Sequence, residues 1–208
     1  MALKQEKKFE KCSDSWARTY IDTKDYISTV RNNINIDDAD AEKVLYQKLK
    51  IQGTCQELEK PYFRLTEIPD PANVRPESIL KKAFKLIQKR YRHKEVDDRW
   101  ILDQMNSIRL DMKIQRIQNS FTTEVYEKNA RLCLEIGDMQ QYKVCQGQLI
   151  DMYREGLPGK KYEFYMYRIV YLALNSEKFE LNKFLKEMSV KELGHELVQE
   201  GVRYGFFW

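Results

Sequence analysis

Residues 124–149 read EVYEKNARLCLEIGDMQQYKVCQGQL. Val125, Tyr126, Ala130, Cys133 and Leu134 recur with the period of an α-helix, and Tyr142, Cys145, Leu149 and Tyr153 repeat the pattern after a break. Gly137-Asp138 is that break: a glycine suited to the position after a helix end, then an aspartate that can cap the next helix. Ala130 is small where the two helices must approach, and Tyr142 is large enough to fill the space beyond it. The stretch predicts a helix hairpin of tetratricopeptide-like type, matching the general architecture rather than the strict repeat consensus.

The same pattern extends in both directions. A helix over about 97–118 carries Trp100, Ile101, Met105, Ile108 and Met112 inward. After EGLPGK, a helix over 162–175 is apolar nearly all round, and one over 177–188 packs behind it. Upstream, three prolines fall within residues 69–76, and each biases the residue before it toward extended backbone. Pro76 suits the first turn of the next helix, whose inward stripe is Leu80, Ala83, Phe84, Ile87 and Tyr91. Polar helices are expected before residue 60, one of them running through Leu58 until Pro61 stops it. The expected organisation is an N-terminal helical region (1–60), a Pro-rich linker acting as a semi-rigid hinge (61–78) and a helical-repeat domain (79–208). The fold class is all-α, an α-solenoid of stacked hairpins. The chain closes on GVRYGFFW, and Phe206, Phe207 and Trp208 are expected to meet a partner chain or domain.

Composition supports this. Of 208 residues 42% are hydrophobic and 33% charged, while Gly and Pro number only 8 and 5, as amphipathic helices require. The start, MALKQEKKFEK, lacks the apolar stretch of a signal peptide. The most apolar segment, 164–174, is too short for a bilayer and carries Arg168, so no membrane association is expected. Cys12, Cys55, Cys133 and Cys145 have neither CxxC spacing nor histidine neighbours and read as reduced thiols of a cytosolic or nuclear protein.

Catalysis has little support. His93 and His195 are the only histidines, and neither stands at metal-ligand spacing. No phosphate loop, dinucleotide fingerprint, zinc-protease motif or nucleophile elbow occurs. Asp97-Asp98 sits where a helix start explains it. Arg109 and Asp111 suggest a buried ion pair or a helix–helix bridge. Tyr162, Phe164, Tyr165, Tyr167 and Tyr171, at helical spacing among aliphatics, read as core rather than as a base-stacking surface. No enzyme activity, metal or cofactor is expected.

The charge is uneven. Residues 61–116 hold 13 basic and 8 acidic side chains, net +5, whereas 1–60 balance and 117–208 are net −1. Residues 81–94 contain no acid, and Lys81, Lys82, Lys85, Lys89, Arg90, Arg92 and Lys94 are the candidate binding residues. Like charges at i,i+4 cost helix stability, so a compensating ligand is expected: the phosphates of nucleic acid or an acidic peptide.

Three stretches carry a resemblance: GTCQELEKPYFRLTEIPDPANVRPESILKKAF (53–84), QMNSIRLDMKIQRIQNSFTTEVYEKNARLCLEIGDMQQYKVCQGQL (104–149) and YREGLPGKKYEFYMYRIVYLAL (153–174). Their order, spacing and the combination VRP, SIR-x-D, EVYE and GD-x-x-x-Y resemble the GANP family of SAC/GANP/Thp nuclear scaffolds. Within it they are most similar to the leukocyte-receptor-cluster and THO-related Thp branch. The resemblance covers roughly residues 50–188. It implies a PCI-type fold of tetratricopeptide-like repeats leading into a winged helix. It also implies a non-enzymatic nuclear role in transcription-coupled mRNA processing, splicing, and export or retention. The implied partners are a PCI-domain protein, a small acidic peptide of the Sem/DSS type, and RNA. Pro76, Arg109, Asp111, Ala130, Gly137, Asp138 and Tyr142 fall at structural positions. Asn129 stands where relatives often have His, and Arg116 where Gly is frequent. The winged-helix module is expected to be absent before Trp208. That leaves open the alternative of a helical-repeat protein adaptor with no nucleic-acid role.

Overall fold

The computed structural model describes residues 52–64 and 70–206, except the side chain of Phe206. The helices expected before residue 51 and the side chains of Phe206, Phe207 and Trp208 lie outside the described residues. Residues 52–208 form one unit by themselves.

The first helix, α1, spans Glu77–Arg92. Pro76 precedes it at the N-cap, with φ −65° and ψ 159°. It therefore stands one position outside the first turn, because its extended ψ belongs to the entering chain. Leu80, Ala83, Phe84 and Ile87 are buried and Tyr91 half-buried. Asp97 caps α2 (Asp98–Ile114) by accepting from Trp100 N at 2.8 Å. This helix ends earlier than its apolar pattern suggests, because Arg116 adopts left-handed backbone with φ 52°, a conformation glycine adopts freely and other residues at a cost. Asn119 caps α3 (Ser120–Ile136) in a capping box with Thr122, leaving few amides of the first turn unpaired. Gly137, at φ 90°, ends it, and Asp138 caps α4 (Met139–Arg154) through Gln141 N at 3.0 Å. Then come α5 (Lys161–Leu174), α6 (Lys178–Glu187), the single turn α7 (Val190–Leu193) and α8 (Glu196–Phe206). The described residues hold these eight α-helices, one 3-10 turn at Pro71–Asn73 and no strand.

From α1 to α6 helices consecutive in the chain pack on one another, and α8 returns to lie along α5, its most extensive partner. Gly201 and Gly205 make the return possible. A Cβ on Gly201 would stand 3.2 Å from Met166 Cα, and one on Gly205 would stand 3.1 Å from Ala173 Cβ. Helix α5 is apolar nearly all round because it is covered by α4, α6 and α8. One core runs from Leu80 to Val198. No helix among the described residues is long and apolar enough to cross a membrane.

Residues 52–64 correct one expectation: no helix runs through Leu58. The segment is an irregular strap along α2. Gly53 N donates to Gln115 Oε1 at 3.0 Å, Lys60 N to Gln104 Oε1 at 3.1 Å, and Tyr62 N to Asp103 at 3.2 Å. Thr54 N and Cys55 N donate to Pro71 O and Val74 O at 2.9 and 3.0 Å. Tertiary partners thus take backbone donors that a helix would have used.

Candidate nucleic-acid interface

The strap is locked by a buried ion cluster. Arg75 and Asp111 are both inaccessible to solvent, with Arg75 Nε 2.6 Å from Asp111 Oδ2. Arg75 also donates through Nη1 to Leu58 O at 3.2 Å and through Nη2 to Ser107 Oγ at 2.9 Å. Lys60 Nζ reaches Asp111 Oδ1 and Asn73 O, each at 2.6 Å. Gln115 Nε2 donates to Arg75 O at 2.7 Å. A buried charge is tolerated when paired and fully hydrogen-bonded, and Asp111 is held by two cations. The VRP and SIR-x-D stretches, separate in sequence, meet here.

Asp111 and Arg109 do not pair with each other. Two residues apart on a helix, they point to different faces. Arg109 turns to α4, donating to Cys145 Sγ at 2.8 Å and Gln141 Oε1 at 2.7 Å, with its guanidinium 5.5 Å from the Tyr126 ring centre. Each therefore bridges elements separately. A hydrogen bond from Cys133 and the nearby Arg109 lower the Cys145 pKa below its usual range. That bond and burial raise Cys133. Asn129 is fully buried, and its Nδ2 has no partner among the described residues.

On α1 the basic residues divide by role. Arg90 is structural: its Nη1 lies 2.5 and 2.6 Å from the Glu59 carboxylate oxygens, and its guanidinium stacks 4.9 Å from the Trp100 ring centre. The hydrogen bond to Glu59 is the chief reason its pKa stands above the ordinary arginine value. Lys81 pairs with Glu77 at 2.7 Å. Lys82, Lys85, Lys89, Arg92 and Lys94 are exposed and have no acidic partner among the described residues. An open cleft of about 570 Å³ runs between α1 and the start of α3, with Lys81, Lys85 and Arg92 on one wall and Asn119, Ser120 and Phe121 on the other. Glu77 and Glu124 also line it.

The remaining sequence-derived positions lie in the helix hairpins. Ala130 and Tyr142 are fully buried between α3 and α4, and Tyr142 packs on Tyr171 at 5.4 Å between ring centres. Glu127, in the EVYE stretch, accepts from Tyr153 Oη at 2.8 Å and from Lys160 N, fixing the α4–α5 turn onto α3. Sequence reasoning missed Lys60, Arg75, Ser107 and Gln115. The available signal was an arginine between Val74 and Pro76, where the chain must be extended and its side chain can turn inward.

Known proteins resemble this chain over much of its length. A SAC3 family protein A of Arabidopsis thaliana is 41% identical over 165 residues, 77% of this chain and 16% of the relative. The chain belongs to the SAC3/GANP family. A THP3 homolog of Schizosaccharomyces pombe is 42% identical over 142 residues, 68% of the chain and 36% of the relative. A leukocyte receptor cluster member 8 homolog of Xenopus laevis is 39% identical over 159 residues, 76% of the chain and 20% of the relative. No family model matches the chain. The chain spans only 16% to 36% of the length of these SAC3/GANP relatives.

Proposed function

We propose that the chain is a non-enzymatic nuclear scaffold in mRNA biogenesis, acting in transcription-coupled processing, splicing, or mRNP export or retention. Its helix stack is a tetratricopeptide-like solenoid of the PCI type. It binds a PCI-domain protein and a small acidic peptide of the Sem/DSS type, and it contacts RNA through α1. The observation that carries the RNA contact is the outer face of α1, where Lys82, Lys85, Lys89 and Arg92 stand exposed with no acidic partner among the described residues. Family membership supports the scaffold role. A phosphate backbone crossing that face would be bound without regard to sequence and in a salt-dependent way.

The test is capture of partners from nuclear extract by the full chain, with and without nuclease and at two salt concentrations. The reading expects a PCI-domain protein and a small acidic peptide to remain after nuclease, and RNA to be lost at the higher salt. Absence of both proteins under every condition would overturn the scaffold role. A second reading, a protein adaptor with no nucleic-acid role, is favoured by exposed apolar side chains late in the chain. Phe179 is 77% and Leu174 64% exposed. It expects a partner that salt weakens little and no RNA at either salt.

A further inference from the structure

Arg109 carries a buried positive charge, only 8% exposed, and no carboxylate pairs with it among the described residues. Its Nη1 donates to Cys145 Sγ at 2.8 Å, and its Nη2 donates to Gln141 Oε1 at 2.7 Å and to Asn106 Oδ1. Both amides are neutral. A guanidinium taken out of water needs a counter-charge, and the Cys145 thiol is the one acceptor in this set that can ionise.

Cys145 has a second neighbour. The Gly137-Asp138 turn folds α4 back on α3, and the thiol of Cys133, in the last turns of α3, hydrogen-bonds to that of Cys145. Cys133 Sγ also lies 3.5 Å from Asn129 Oδ1. The bond from Cys133 is the largest influence holding the Cys145 pKa below the ordinary thiol value, and Arg109 adds to it. Burial and the charge of Asp138, which caps α4, act the other way. Cys133 is raised and keeps its proton. Tyr126 and Tyr142, raised by burial, stay neutral beside them. One ionised sulfur and one protonated sulfur thus stand in contact, the arrangement of an attacking and a resolving thiol.

We propose that Cys145 and Cys133 are a peroxide-oxidised pair, Cys145 the attacking thiolate held by Arg109 and Cys133 the resolving thiol, closing a disulfide between α3 and α4. Both cysteines are fully buried, which excludes bulky oxidants. Hydrogen peroxide, little larger than water, needs only a local opening of the hairpin. Buried thiols are ordinarily inert because apolar surroundings keep them protonated, and Arg109 removes that cause here. The Cys145 sulfur attacks one peroxide oxygen, the O–O bond breaks, and hydroxide leaves and takes a proton from solvent. The Cys133 sulfur then attacks the Cys145 sulfenic acid, gives up its proton, and water leaves. Two thiols are oxidised to one disulfide, and one peroxide is reduced to two waters. The reaction consumes the counter-charge of Arg109, so α2 is held less firmly on α4 afterwards.

The test is brief treatment of the folded full chain with hydrogen peroxide, alkylation of the remaining thiols in denaturant, and mass spectrometry of tryptic peptides. Trypsin places Cys133 in 132–143 and Cys145 in 144–154, so the disulfide appears as a linked pair lighter by two hydrogens and is lost on reduction. Cys55, partly exposed, is the reference in the same chain. Cys145 should react before Cys55. Its rate should stay flat from pH 7 to 8, whereas an ordinary thiol of pKa about 8.5 gains about eightfold in thiolate over that interval. Cys133→Ser should stop at the sulfenic acid, trapped by dimedone on 144–154. Arg109→Lys should keep the flat profile and Arg109→Gln should lose it, with circular dichroism to check folding. The profile of the unaltered chain decides the matter even if Arg109→Gln does not fold. Oxidation of Cys55 first, a Cys145 rate that climbs with pH as that of Cys55 does, or a linked pair that forms only in urea would each overturn the proposal and leave an inert packing pair.

Discussion

Asp111 is the residue on which most of the N-terminal packing converges. Its carboxylate balances Arg75, fully buried, and Lys60, whose side chain is 16% exposed. Removing one member of a buried ion pair strands the other without water or counter-charge, at a cost of about 3–5 kcal/mol. Asp111→Ala is therefore expected to be severely destabilising. Arg75→Met should cost less, because Asp111 keeps Lys60. Urea denaturation of the two variants gives the order, and equal midpoints would mean that Lys60 does not hold the carboxylate. Proteolysis adds a local readout: Asp111→Ala should speed tryptic cleavage after Arg64, since the strap is then anchored by neither cation; Pro61 protects the bond after Lys60. This site was only partly legible in the sequence. Asp111 stood out as an acid on an apolar helix, but its partner Arg75 lies 36 residues away, a separation no periodic pattern reports. Arg109 is the nearer cation in sequence, and it faces the other way.

At the scale of elements, helices α1 to α6 were legible because each buries one stripe with a 3.6-residue period, and because Gly137 and Asp138 have local mechanisms. The strap was not, since the backbone donors of Gly53, Lys60 and Tyr62 pair with side chains 41 to 62 residues distant. Neither was α8, where Leu197, Val198 and Val202 keep helical spacing but Gly201 and Gly205 lower helix propensity, and the close fit of those glycines is against a helix that precedes them. Those glycines can be tested against Gly147, a helical glycine at which an added Cβ would meet nothing within 4 Å. Gly147→Ala should stabilise by about 1 kcal/mol from helix propensity alone. Gly201→Leu should destabilise by about 1–3 kcal/mol through overpacking on Met166. Thermal melts of both variants check the contrast, and stabilisation by both would mean that α8 does not press on α5. The turn α7 carries a pH signature. Lys161 Nζ, 2.8 Å from Glu192 Oε1, is the chief cause that holds the Glu192 pKa down at about 2, and Ser189 adds to it. A carboxylate depressed in the folded state contributes stability above its unfolded pKa of about 4.3 and loses it as pH falls toward 2. Glu192→Gln should therefore lower the melting temperature at pH 7, by a margin that shrinks as pH falls from about 4 toward 2. A gap that stays constant over that range would show that the ion pair is not its source.

Over the whole molecule, charge and stability oppose each other on α1. Residues 61–116 carry the net +5, and α1 places Lys82, Lys85, Lys89 and Arg92 on its outer face at spacings of three and four, where like charges repel by a few tenths of a kcal/mol per pair. Neutralising all four to alanine should therefore raise the melting temperature or leave it unchanged, since alanine is also the best helix former. If these side chains contact RNA phosphates, the same variant should bind a single-stranded oligonucleotide more weakly. Its plot of log K against log salt should be shallower, by about 0.7 for each phosphate no longer neutralised. The two measurements together separate function from accident. Weaker binding with equal or greater stability means that α1 carries its repulsion for the sake of a ligand. An unchanged salt slope means that the cationic face is only a solvated surface, and that RNA, if bound, is held elsewhere on the molecule.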